Sequence, residues 1–255
     1  MLTKAEIKRT HSLVHKKYRL QYRQFIIEGA RLTAAALETG APLDAVYLTA
    51  EFSGNPEHGP LIDQLKSSGY SWDVIPDRQL AQLADTVSPA GILALCPLPA
   101  PRPQAPDSLP SGPWLYLDGI VDPGNLGTLL RTAAWFDVTN IGLSAGSVDP
   151  WNPKVVRGGM GAHFYLDLFP DLPLATLKSA GLQLLGADMD GTPVDVFSPG
   201  AGWCLVLGGE AHGLTTATRE LIDTVLAIPR PGRGESLNAA VAGGILLEYL
   251  TRLRR

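Results

Sequence analysis

Three short segments hold the polar residues that could do chemistry, each in a glycine- or proline-rich frame. The first is Asp122-Pro123-Gly124-Asn125-Leu126-Gly127, with Arg131 six residues after Asn125. The second is Gly208-Gly209-Glu210-Ala211-His212-Gly213. The third runs from Ile228-Pro229 through Arg230 and Arg233 to Ser236-Leu237-Asn238. Glycine lets a backbone approach a ligand closely, and short polar side chains cap helices. A guanidinium offers a planar fork to carboxylate or phosphate. The first two segments follow the apolar runs Trp114–Leu117 and Trp203–Leu207, and the third follows Val225–Ile228. Strand, polar loop, helix is how α/β proteins build a ligand site at the carboxyl edge of a sheet. The first segment has no G-x-G-x-x-G and no G-K-[ST], so it is neither a dinucleotide fingerprint nor a P-loop. Arg131 lies among Leu129, Leu130, Ala133, Ala134 and Phe136, an unusual place for a charge. Its stem snorkelling to solvent is the competing account.

A second cluster is electrostatic. The formal net charge is −4, yet Lys4, Lys8, Arg9, Lys16, Lys17, Arg19 and Arg23 are seven of the 21 basic residues, and Glu6 is the one acid before position 28. Such a face suits phosphate, or it is an ordinary solvated helix. His11 and His15 have the i, i+4 spacing of a metal pair, but no third ligand lies nearby, and no structural metal is expected. Cys96 and Cys204 are far apart and in no C-x-x-C pair. A cytoplasmic protein with reduced thiols is therefore expected. No stretch approaches the about 18 apolar residues of a membrane span, so no membrane partner is expected.

The elements that must position these residues divide by composition. Phe25–Gly29, Val46–Leu48, Trp72–Ile75 and Gly91–Leu95 read as strands, alternating with helical patterns at Ala30–Thr39, Leu61–Ser67 and Leu80–Leu83. They predict a small α/β domain over 1–96. Pro97 to Pro113 holds seven of the 21 prolines and reads as a stiff linker. Over 114–255, strands at Trp114–Leu117, Asn140–Leu143, Phe164–Phe169, Leu182–Gly186, Trp203–Leu207 and Val225–Ile228 predict a second α/β domain. A helix rich in Ala and Gly follows Asn238, with Ser236 or Asn238 as its N-cap. Gly243 and Gly244 inside it point to close packing, since Gly costs a helix roughly 0.5–1 kcal/mol against Ala.

Asp122-Pro-x-Asn125-x-Gly127-x-x-x-Arg131, Leu207-Gly-x-Glu210-x-x-Gly213-Leu214 and Ile228-Pro through Ser236-Leu237-Asn238 resemble, in order, the three motifs of the SpoU/TrmH family of RNA ribose methyltransferases, of the SPOUT superfamily. The N-terminal half, with Lys17-x-Arg19 and Phe25-Ile26-Ile27-Glu28-Gly29, is similar to the ribosomal-protein-like RNA-binding domain many members carry. The resemblance implies a parallel sheet with a C-terminal trefoil knot, against the usual rule that chains do not thread. It implies a homodimer and S-adenosyl-L-methionine held near Gly208, Ile228, Leu237 and Asn238. Methylation of a ribose 2′-hydroxyl, in large-subunit ribosomal RNA, is the implied reaction, with catalytic positions Arg131, Asn125, Glu210, Ser236 and Asn238. The family often casts the arginine matching Arg131 as a general base. The persistent charge of a guanidinium favours instead a hold on phosphate and the developing alkoxide. RNA contacts are expected from Lys8, Arg9, Lys16, Lys17, Arg19, Arg23, Arg157, Arg230 and Arg233. The sequence departs from the family at Gly209, often Asn, at Gly159, often Ser, and at Arg230, often apolar. A transfer-RNA ribose methyltransferase and a non-catalytic RNA-binding protein of the same fold are the alternatives.

Overall fold

A computed structural model describes residues 1–209 and 213–252. The chain forms two compact units, one of residues 1–100 with 151–164 and one of residues 101–150 with 165–255. The first boundary falls within the proline-rich stretch. The linear division does not provide for the second segment, Trp151–Phe164, which packs with the N-terminal unit.

The first unit opens with helices α1 (Lys4–Ser12) and α2 (Lys16–Tyr22) and strand β1 (Gln24–Glu28). There follow α3 (Ala30–Glu38), β2 (Ala45–Leu48), α4 (Ala50–Gly54), α5 (Gly59–Ser67), β3 (Asp73–Val74), α6 (Asp77–Leu83) and β4 (Ile92–Pro97). The sheet order is β1-β4-β2-β3, antiparallel except for the β2–β3 pair. Strand periodicity sorts β1 into two cores. Phe25 and Ile27 join Leu32, Ala36 and Leu65 on one face, while Ile26 joins Leu13, Leu80 and Leu83 on the other.

The basic N-terminus is two helices, not one. Thr3 caps α1 in a reciprocal box with Glu6, whose carboxylate accepts from Thr3 N at 2.7 Å. The break at 13–15 is held by Arg19, whose Nη1 donates to the carbonyls of Leu13 (2.7 Å) and Val14 (2.9 Å).

The returning segment carries α8 (Pro153–Gly159), which the hydrophobic pattern did not reveal. Trp151 packs its ring 4.8 Å from that of Phe25. Gly161 has φ +97°, and a Cβ there would lie 2.7 Å from that of Ala35, so only glycine fits. Arg157 donates to Glu28 (3.3 Å) and Asp85 (2.8 Å), tying α8 to β1.

The second unit holds β5 (Trp114–Asp118), α7 (Pro123–Trp135), β6 (Asn140–Leu143), β7 (Asp167–Phe169) and α9 (Leu174–Ser179). It continues through β8 (Gln183–Pro193), β9 (Trp203–Gly208), α10 (Thr216–Arg219), β10 (Thr224–Ala227) and α11 (Ala239–Arg252). Its sheet is wholly parallel, in the order β10-β8-β9-β5-β6-β7. The central strands are buried on both faces, as near-continuous apolar runs such as Trp203–Leu207 require. The strand expected over Phe164–Phe169 is only three residues long, because Ala162–Phe164 forms a 3₁₀ turn within the first unit. Among the described residues no helix is long and apolar enough to cross a membrane.

Candidate functional site

The carboxyl ends of β5, β9 and β10 carry the three polar segments. Asp118 at the end of β5 stands in register with Gly208 at the end of β9, so the loops that follow start side by side. Their main chains touch. A Cβ on Gly209 would lie 2.6 Å from the carbonyl oxygen of Gly119, and one on Gly208 would lie 2.1 Å from the carbonyl carbon of Gly213. Gly213 closes the second loop by donating its N–H to the Gly209 carbonyl at 2.9 Å. Side chains are thus excluded at Gly208 and Gly209, where main chain meets main chain.

Asp118 shapes these strand ends and was not singled out by sequence reasoning. It is buried, and its Oδ2 accepts from the main-chain N–H of Thr215 at 3.1 Å, pinning the exit of the loop after β9 to the end of β5. An acid closing a five-residue apolar strand was the available signal.

α7 begins at Asp122, whose Oδ1 accepts from Asn125 N at 2.7 Å, with Pro123 in the first turn. The Asn125 side chain is half-buried and accepts at Oδ1 from Nδ2 of Asn238 at 3.0 Å. Asn238, not Ser236, is the N-cap of α11. Its Oδ1 accepts from Ala240 N (2.9 Å) and Val241 N (3.3 Å). One side chain therefore starts the last helix and joins the first and third segments, 113 residues apart in sequence.

α11 lies against α7 and β9. A Cβ on Gly243 would be 2.5 Å from Leu129 Cδ2 and 2.7 Å from Leu207 Cδ1, so a larger residue could not seat the helix this closely. Arg131 is exposed on α7. Ser236 and Leu237 lie exposed in the loop before α11, and Ile228 is half-buried just after β10. Arg233 is exposed in the same loop, where Arg230 donates to the Gly234 carbonyl at 2.6 Å. Glu210 lies outside the described residues.

The N-terminal cations fall into exposed and engaged groups. Lys8, Arg9, Lys16 and Lys17 are exposed on α1 and α2. Arg23 is exposed too, but its guanidinium donates to the carbonyls of Leu98 (3.1 Å) and Pro99 (2.7 Å). Arg19, expected among the RNA contacts, is buried with 2% of its surface exposed, so its charge serves the turn between the helices. Arg157, likewise expected to meet phosphate, is engaged by the carboxylates of Glu28 and Asp85.

Residues 113–248 match the SpoU rRNA methylase family, and residues 4–94 match the MRM3-like substrate-binding domain. The chain belongs to the SpoU rRNA methylase family. Among its relatives is the 23S rRNA (guanosine(2553)-2′-O)-methyltransferase RlmP of Bacillus subtilis, 28% identical over 96% of this chain and 95% of that one. A TrmH-family protein from Porphyromonas gingivalis superposes with TM-score 0.84 at 30% identity, covering 99% of each chain. The SpoU methyltransferase AviRb of Streptomyces viridochromogenes, solved with its cofactor AdoMet, superposes with TM-score 0.86 over 99% of this chain and 98% of that one. At 23% identity that likeness is one of fold. Both halves of the chain thus have counterparts in RNA-modifying SpoU proteins.

Proposed function

We propose that this SpoU protein transfers a methyl group from S-adenosyl-L-methionine to a ribose 2′-hydroxyl of large-subunit ribosomal RNA. The observation that carries the proposal is the hydrogen bond between Asn238 and Asn125, which gathers the first and third segments on the helix that bears Arg131. The cofactor is assigned to the strand ends at Gly208 and Gly209, where main chain meets main chain and a Cβ would strike it. Gly208, Ile228, Leu237 and Asn238 are its proposed contacts. When bound, it supplies an electrophilic methyl on a sulfonium.

The remaining work falls to side chains of this chain. Holding the hydroxyl in line with the methyl can supply on the order of 7–11 kcal/mol of the barrier. Arg131 holds the target phosphate and stabilises the oxygen as its proton leaves for solvent. A guanidinium keeps its charge throughout the ordinary pH range and is poorly suited to take that proton itself. Asn125 fixes the start of α7 relative to α11, while Glu210 and Ser236 shape the ribose pocket. Arg230, Arg233 and the exposed cations of α1 and α2 supply phosphate contacts.

Two further features belong to the proposal. The chain leaves β10 at one edge of the sheet, and α11 returns to pack on α7 and β9 near its centre; this crossing is the proposed trefoil knot. A homodimer through the second unit would cover Val121 (71% exposed), Trp135 (84%) and Val241 (52%) on the α7–α11 side. Ribosomal RNA is favoured over transfer RNA by the N-terminal match to a substrate-binding domain and by the rRNA substrate in the name of RlmP.

The deciding experiment incubates the protein with methyl-labelled cofactor and ribosomal RNA fragments and maps positions resistant to alkaline cleavage. One resistant position in large-subunit RNA, lost in Arg131→Ala with cofactor affinity retained, is the expected result. A methylated base, or label entering transfer RNA alone, overturns it.

A further inference from the structure

α1 and α2 carry an aromatic ladder that neither the methyl-transfer site nor the list of cations uses. Tyr18 and Tyr22, one helical turn apart on α2, stack with ring centroids 6.1 Å apart and planes inclined by 13°. His15 lies beside this pair at the N-cap of α2, its ring 6.4 Å from that of Tyr18 and tilted by 57° to it. Arg9 of α1 lies over the Tyr22 ring at 4.9 Å, and Lys17 lies 5.7 Å from the Tyr18 centroid. Tyr22 backs onto the core beneath, whereas Tyr18 is half-buried and outside the core clusters, and His15 is exposed. The neighbouring exposed cations are Lys8, Arg9, Lys16 and Lys17. Glu6, the one acid on these two helices, is engaged in the capping box with Thr3.

Aromatic faces interleaved with cations are what unpaired nucleic acid requires: bases stack on the rings while phosphates meet the charges. Duplex RNA offers only backbone and groove to such a surface, since its bases are already stacked. The parallel pair is Tyr18 and Tyr22, while the His15 ring is tilted by 57° to that of Tyr18 and sits beside the pair on an exposed turn. A purely structural stripe would bury its rings; here the outer end of the ladder is open and surrounded by positive charge.

We infer that His15, Tyr18 and Tyr22 form a stacking platform for unpaired bases of a single-stranded RNA segment, with Arg9, Lys16 and Lys17 holding its phosphates. The inference rests on the reading of the chain as an RNA-modifying enzyme and specifies what its N-terminal unit grips: a loop or bulge. Tyr18 is the principal stacking face, and His15 flanks the base at the exposed end of the row.

The test measures binding of the full-length protein to three fluorescein-labelled probes: a short oligouridylate, an abasic ribose-phosphate strand of equal length, and a duplex. The wild type is expected to prefer the oligouridylate. Tyr18→Ala should weaken that binding about tenfold, leaving the abasic strand and the salt dependence unchanged, because one stacked base and no phosphate contact is lost. Tyr18→Phe should retain binding. Should Tyr18→Ala lower the melting temperature, His15→Ala, at an exposed position, carries the same comparison. Wild-type affinity in both alanine variants overturns the platform, and so does an equal loss on the abasic strand or a preference for duplex. Methyl transfer to ribosomal RNA is assayed in parallel. Base-selective binding without methyl transfer would sink the enzymatic reading alone, and methyl transfer with unaffected variants would sink the platform alone.

Discussion

Asn238 does two things with one amide: its oxygen caps α11, and its nitrogen donates to Asn125. Substitutions can separate them. Asn238→Ala removes both, costing about 1 kcal/mol for the lost cap and abolishing methyl transfer. Asn238→Ser keeps an oxygen for the helix N–H groups but is too short to reach the Asn125 amide. Stability near the wild type in thermal melts, with methyl transfer still lost, is expected; an active Ser variant would remove the Asn125 contact from the mechanism. The thiols make a second residue-scale prediction. Burial pushes the Cys204 and Cys96 thiols well above their ordinary range, the nearby Asp44 charge adding to the effect at Cys96. Thiolate is the reactive form, so neither cysteine should react with a thiol reagent until the protein unfolds. Rapid labelling in native buffer would contradict this.

At the scale of elements, α11 shows how packing overrides propensity. Gly243 and Gly244 read alike in sequence, yet their surroundings differ. A methyl on Gly243 would enter the space of Leu129 and Leu207, both buried, at 2.5 and 2.7 Å, whereas one on Gly244 would meet Thr132 Cγ2 at an ordinary 3.6 Å. Overpacking costs about 1–3 kcal/mol, while replacing a helical Gly by Ala gains about 0.5–1 kcal/mol. Gly243→Ala should therefore destabilise the protein by about 1 kcal/mol, and Gly244→Ala should stabilise it by about 0.5–1 kcal/mol. Denaturant midpoints of the two variants shifting in the same direction would refute the argument. The helix could be placed from its Ala-rich run after Asn238. Which glycine seats it could not, because that depends on side chains from α7 and β9.

For the whole molecule, acid should weaken the second unit. Lys178, with the Leu184 N–H, holds the Asp223 carboxyl below its ordinary range. Burial pushes Asp188 upward, but Arg219 and the Met189 N–H outweigh it and hold that carboxyl low as well. A lowered folded-state pKa contributes stability that is fully present above the unfolded value, about 3.9 for Asp, and is lost as pH falls through the folded value. Melting temperature should thus begin to drop near pH 4, by less in Asp223→Asn, which also gives up the pair at neutral pH. Both pairs are partly exposed, so the effect is modest and salt-sensitive. The proposed dimer belongs to this scale too. Light scattering should return twice the chain mass, and a monomer that still transfers methyl groups at high dilution would exclude an active site shared between protomers.

Periodicity and local chemistry were enough for the alternating strands and helices, the polar loops at three strand ends and the order of the SpoU motifs. Those are properties of neighbouring residues: two-residue alternation, small polar caps, prolines that bar a ladder. The Asn125–Asn238 bond spans 113 residues, and only the packing of α11 on α7 brings those amides together. Likewise Arg19 and Arg157 look like any cations in sequence, but tertiary structure gives one to main-chain carbonyls and the other to Glu28 and Asp85. Asp118 was missed for the same reason, since its partner Thr215 lies 97 residues away. A charge's residue type states what it can bind. What it does bind is set by the donors and acceptors that folding brings within about 3 Å, the reach of a hydrogen bond.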